Sequence, residues 1–185
     1  MEIRFQESTE ENAGMQTDEL RKHFLCAGII GKDQISVAPA HATWPNRLMK
    51  QEEASPVSTG AVETSNKRTI YKYIHLDGIQ SCQLVMGLTV LAVGSVWNSV
   101  PPHTHTLRME ACFYFDLPEA HRVFHFMGEP RETRHLVMSN HQAVISPPWS
   151  IHCGCGTTNY AFIWGMAGEN KTFADMDPAP VAELK

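Results

Sequence analysis

The stretch PPHTHTLRMEACFYF, residues 101–115, sets His103 and His105 two apart, with Glu110 following just ahead of an apolar-aromatic run. Another histidine, His152, follows the segment SPPWSI. Imidazoles and a carboxylate are ligands for a divalent ion, and three of the first with one of the second suit Zn, Fe, Mn, Ni or Co. Four protein ligands on an ion that can expand its shell leave one or two positions for water or substrate.

These side chains act together only if the backbone makes them converge. In a strand, residues two apart project to one face, so His103 and His105 can both aim into a barrel. Glu110 sits at an odd offset from His105 and joins them only across a turn, which Thr106-Leu107-Arg108 can supply. Past that turn, Glu110, Cys112 and Tyr114 share one face, while Met109, Ala111, Phe113 and Phe115 share the other. His152 is placed to come from a partner strand.

The elements needed for this are β throughout the second half. TIYKYI (69–74), CQLVMGLTVL (82–91), MEACFYFDL (109–117), RVFHFMG (122–128), HLVM (135–138), QAVISP (142–147) and YAFIWGM (160–166) read as short strands between Gly, Pro, Asn and Asp punctuation. Their spacing predicts an all-β jelly-roll barrel or sandwich. Upstream, Thr17 reads as the N-cap of a short helix with Asp18 and Glu19 in its first turn and Gly28 near its end. Ile29–Val37 reads as a short strand. The chain thus divides into residues 1–37, an irregular Pro/Ser/Thr-rich arm over 38–68, and a barrel over 69–185 that ends in a surface tail, FADMDPAPVAELK.

Composition narrows the classes. The chain has 185 residues, 43% hydrophobic and 19% charged, and a net charge of −5, with no cluster of Lys and Arg. A nucleic-acid footprint needs a basic face, so none is expected, and recognition of an anion must be local. No apolar run of about 18 residues is present to span a membrane. The acidic N-terminus lacks the pattern of a signal peptide. Five cysteines form no paired framework, which predicts reduced thiols and a cytoplasmic location.

HxH, four residues, Glu and a distant His resemble the metal-binding pattern of the cupin superfamily. SNKRTIYKYI, CQLVMGLTVLAVGSVWNSVPPHTHTLRMEACFYF, HFMGEPRETRHLVMSNHQAVISPPWSIHCGCGT and YAFIWGMAGENKTFADMD are similar to the C-terminal half of the 5-keto-4-deoxyuronate isomerase family. The likeness runs from about Ala38 to the C-terminus, and MQTDELRKHFLCAGIIGKDQI resembles the family's N-terminal helix. The resemblance implies one Zn2+ per chain on His103, His105, Glu110 and His152. It implies a metal-dependent aldose–ketose isomerase that converts 5-dehydro-4-deoxy-D-glucuronate to 3-deoxy-D-glycero-2,5-hexodiulosonate in pectin and polyuronide catabolism. It also implies a homo-oligomer, hexameric in the family. Family members carry two cupin-type barrels, and here GKDQISV passes directly into APAHATWPNRL, so the first barrel is expected to be missing.

Spacing does not identify the general base. His135 and Tyr160 are candidates from their place on predicted strands. Arg108 and Arg134 are candidates for the substrate carboxylate, and each reads equally as a surface cation. Lys67, Arg68 and Lys72 read as a solvated strand edge, and Cys153 and Cys155 as small packing residues rather than thiolate ligands. Trp97, Trp149 and Trp164 read as core or pocket wall. Two other functions fit the same residues: a catalytically inactive single cupin that binds metal and sugar, and an iron-dependent cupin oxidoreductase.

Overall fold

Leu84–Leu91 is apolar at nearly every position, the pattern of a strand covered on both faces. In the computed structural model, Leu84, Met86 and Leu88 pack on one side of this strand, with Met49, Ala54, Tyr73 and Ile163. Val85 and Leu91 pack on the other, with Cys112, Tyr114, Val123, Phe162 and Trp164. Two cores therefore share one strand. The structure describes residues 2–6, 24–30, 35–39, 42, 44–45, 47–169 and 172–185, the first three segments by backbone alone.

The strands are β1 (Glu2–Gln6), β2 (Phe24–Ile30), β3 (Ile35–Pro39), β4 (Arg47–Lys50), β5 (Val57–Thr59), β6 (Arg68–Ile74), β7 (Leu84–Leu91) and β8 (Trp97–His105). They continue as β9 (Arg108–Phe115), β10 (Val123–Glu129), β11 (Glu132–Met138), β12 (Gln142–Ser146), β13 (His152–Gly156), β14 (Ala161–Gly168) and β15 (Met176–Pro178). One sheet runs β12-β9-β14-β7-β6-β5 and the second β11-β10-β13-β8-β15. From β7 to β14 the chain crosses between these sheets at every connection except the β10–β11 hairpin. That alternation is the anticipated jelly roll. A third sheet, β3-β2-β1-β4, is antiparallel and reaches the first core through Met49 of β4.

Phe24–Gly28 is strand, where the sequence predicts the end of a helix; the start of that helix, Thr17–His23, lies outside the described residues. Phe-Leu-Cys-Ala-Gly-Ile-Ile satisfies its backbone by pairing with both β1 and β3, a tertiary partner that outweighs local helix signals. The stretch over 38–68 carries β4, β5 and a single turn of 3-10 helix at Gln51–Glu53. HCGCG, absent from the strands read by pattern, is β13, a central strand of the second sheet that His152 opens. Glycine suits the close packing there: a Cβ on Gly154 would meet the Tyr114 and Tyr160 hydroxyls at 3.0 Å each.

The tail is also more than surface cover. Its residues 176–178 form β15 along β8, pairing Met176 with His105 and Pro178 with His103. Among the described residues no helix is long and apolar enough to cross a membrane.

Candidate metal centre

The predicted turn is present. β8 ends at His105, Thr106 and Leu107 carry the chain to the facing sheet, and β9 begins at Arg108. β9 then alternates as expected, with Arg108, Glu110, Cys112 and Tyr114 buried and the residues between them half-buried. Crossing between sheets turns the odd offset of Glu110 into an approach to His105. His152 opens β13 directly opposite His103 on β8. The four residues are buried, and their ligand atoms all lie within 4.8 Å of one another.

The contacts orient each ring. His152 Nε2 lies 3.0 Å from Glu110 Oε2 and 3.1 Å from His103 Nε2. His105 Nε2 lies 3.4 Å from the same carboxylate oxygen. His103 Nδ1 donates to the Pro101 carbonyl at 3.0 Å, and the Ser150 backbone hydrogen-bonds the His152 ring. His105 Nδ1 lies 3.5 Å from Asp175 Oδ1. Where Nδ1 keeps its proton, as the Pro101 and Ser150 hydrogen bonds favour for His103 and His152, Nε2 can offer its lone pair to an ion in place of the hydrogen bond it otherwise makes. A set of three imidazoles and one carboxylate repels itself unless a proton or a cation sits among its members, and a divalent ion satisfies all four at once. The residues fit a metal.

Electrostatics agree with that geometry. Burial alone would raise the Glu110 carboxyl, but His152 beside it and hydrogen bonds from His105 and His152 hold it well below the usual carboxylate range. Burial, reinforced by the neighbouring His152, pushes His103 down to about 4. Burial also opposes charge on His152, yet Glu110 overrides it and raises that histidine.

The other sequence candidates have different roles. Arg108 is fully buried, with Nη2 2.7 Å from Asp175 Oδ1, so its carboxylate partner is internal. Arg134 is exposed and pairs with Glu132 at 3.0 Å. His135 is exposed on β11, where its ring packs against Phe124 and Phe126, and it does not line the cavity described below. Tyr160 is buried in the second core and donates its hydroxyl to the Gly154 carbonyl at 2.9 Å. Burial raises the Cys153 thiol to about 12 and pushes Cys155 up as well, so neither offers a thiolate at neutral pH. Trp164 is a pocket wall as expected, whereas Trp149 is exposed.

Sequence reasoning missed two residues. Asp175 lies in the predicted surface tail and reaches His105 and Arg108 because β15 docks on β8. Arg68, read as a solvated edge, lines a cavity of about 270 Å³ that also exposes His103, His105 and Glu110. The remaining wall is largely apolar, with Phe162, Trp164, Met166 and Phe173. Trp164 fits because its cross-strand partner is Gly87, where a Cβ would collide with the indole, and its Nε1 donates to Thr89 Oγ1 at 3.1 Å. The volume sits just below the roughly 300–1,000 Å³ common for small-ligand sites.

A model of the KduI/IolB family matches residues 31–181. The 4-deoxy-L-threo-5-hexosulose-uronate ketol-isomerase of Shouchella clausii (strain KSM-K16) is 61% identical over 148 residues, covering 80% of this chain and 54% of that protein. The protein of the same name from Pectobacterium carotovorum subsp. carotovorum is 60% identical over 148 residues, covering 80% and 53%. The chain therefore spans about half the length of the curated relatives it matches. Among solved structures, an IolB-like protein from Salmonella typhimurium LT2 shares the fold at a TM-score of 0.63 and 14% identity, covering 96% of this chain and 74% of that one.

Proposed function

Because the chain belongs to the KduI/IolB family, we propose that it is a zinc-dependent ketol-isomerase that converts 5-dehydro-4-deoxy-D-glucuronate to 3-deoxy-D-glycero-2,5-hexodiulosonate during pectin and polyuronide breakdown. The observation that carries this reading is the buried set His103, His105, Glu110 and His152 opening into a small, mostly apolar cavity. The names of the relatives support the reaction class. In this reading residues 69–185 are the metal-binding unit, and the protein works as a homo-oligomer in the cytoplasm on a small-molecule uronate.

Exchange of an aldose for a ketose removes a proton from C2 and returns one to C1 through an enediol. The three Nε2 atoms and Glu110 Oε2 would hold the ion. When bound, it supplies Lewis-acid stabilisation of the charge that develops on the substrate oxygens. Pro101 and Ser150 hydrogen-bond the His103 and His152 rings, and Asp175 Oδ1 stands 3.5 Å behind His105 Nδ1. Glu110 Oε1 accepts a weak hydrogen bond from the Cys112 thiol at 3.3 Å. His135 and Tyr160 lie outside the cavity lining, so neither is placed to carry the proton between C2 and C1. Phe162, Trp164 and Met166 exclude water from the enediol.

The test is turnover of 5-dehydro-4-deoxy-D-glucuronate by the full chain loaded with zinc, then stripped by chelator, beside His103→Ala. Loss of activity in both stripped protein and variant is expected. Turnover that survives both refutes the proposal. Tight zinc and uronate binding with no turnover replaces it with a non-catalytic binding protein.

A further inference from the structure

Arg68 opens β6 at the rim of the first sheet, and with Ile70 two positions later it faces the cavity that ends at the metal ligands. It is the one Lys or Arg among the described residues lining that cavity. Its Nη1 donates to the Asn66 carbonyl at 2.9 Å, which fixes the guanidinium locally. Its Nε is buried and makes no hydrogen bond among the described residues. Arg108 and Arg134 are closed against Asp175 and Glu132, but no described carboxylate forms an ion pair with Arg68. A half-buried guanidinium facing an apolar wall, with an idle donor, is a site awaiting an anion.

We propose that Arg68 anchors the terminal carboxylate of the substrate, so that the cavity selects a sugar acid over a neutral sugar. This rests on the isomerase reading above and adds the group that sets its specificity. A guanidinium edge matches a carboxylate with two parallel hydrogen bonds, a geometry an ammonium does not reproduce. The apolar surroundings strengthen the pairing by excluding water. Ligands on β8, β9 and β13 fix the reacting end, and Arg68 on β6 fixes the acid end, so both sheets define the substrate's orientation. The chain as a whole is acidic, with a net charge of −5, and the attraction for an anion is therefore confined to this cavity.

The experiment compares the full zinc-loaded chain with R68M and R68Q. It reads steady-state turnover of 5-dehydro-4-deoxy-D-glucuronate, calorimetric binding of that acid and of its C6 methyl ester, and bound zinc. The expected result is a KM raised about 10- to 100-fold in both variants, with kcat changed only a few-fold and zinc content unchanged. Wild type should also prefer acid to ester, and the variants should lose that preference. Variants that keep the wild-type KM and preference overturn the anchor and leave the isomerase reading intact. A wild-type chain that binds the acid without turnover, and loses that binding in the variants, supports the anchor and overturns the isomerase reading. Failure of the zinc-loaded wild type to bind the acid overturns both. If R68M loses its circular-dichroism melt, R68Q decides by the same criteria.

Discussion

His105 stands between two carboxylates, its Nε2 3.4 Å from Glu110 and its Nδ1 3.5 Å from Asp175, which is itself paired with Arg108. A carboxylate behind a ligating imidazole fixes its tautomer and raises its basicity, and loss of such a partner typically costs about 10- to 100-fold in metal affinity. Asp175→Ala should therefore weaken zinc binding by that factor in a chelator-competition titration, while His103→Ala should abolish stoichiometric binding. Unchanged affinity in Asp175→Ala would show that the ring is held by packing alone. The convergence of these residues was legible in the sequence because strand periodicity pairs His103 with His105, and because one turn suffices to bring Glu110 round. Asp175 was not, since nothing local marks a residue whose partners are reached only when a terminal segment docks on β8. Arg68 was misread for a related reason: a cation at a strand start looks solvated until the opposite sheet closes over it.

At the scale of elements, the two facing sheets are tied beneath the metal centre by His125. From β10 its Nδ1 meets the Tyr114 hydroxyl of β9 at 2.7 Å, and its Nε2 meets Ser146 Oγ of β12 at 3.2 Å. Burial, with the nearby His152, pushes His125 down to about 4 from 6.5. Above pH 6.5 this residue is neutral in both folded and unfolded chains and has no effect on the slope. Below it the unfolded chain takes a proton that the folded chain refuses, so stability falls as pH drops toward 4, by about 1.4 kcal/mol per pH unit at the steepest. Urea melts of zinc-loaded protein between pH 6.5 and 5 should show a shallower decline in His125→Gln than in wild type. Equal slopes would mean that other groups govern the acid limb. Strands with alternating or continuous apolar residues, such as β9 and β7, could be read directly. β13 was marked only by His152, because the glycines that let Tyr114 and Tyr160 close over it are also the residues that mark turns.

Across the whole molecule, the four residues of the candidate metal centre are contributed by β8 and β13 of one sheet and by β9 of the other, so an ion bound there would staple both halves of the jelly roll. Binding to the folded state alone stabilises it by about 2.7 kcal/mol when free metal is 100 times its Kd. For a chain of this size each kcal/mol moves Tm by about 2–4 °C, so saturating zinc should raise Tm by about 5–10 °C over chelator-treated protein. The increment should vanish in Glu110→Ala, which removes the one residue of the set that β9 contributes and with it the link between the two sheets. The same calorimetric scans, repeated over a range of protein concentrations, bear on the proposed homo-oligomer. Association that accompanies folding makes Tm rise with concentration, and light scattering should then give a multiple of the 20.7 kDa chain mass. A concentration-independent Tm with a mass of one chain would refute the oligomer while leaving the zinc increment, which depends only on contacts within one jelly roll, in place.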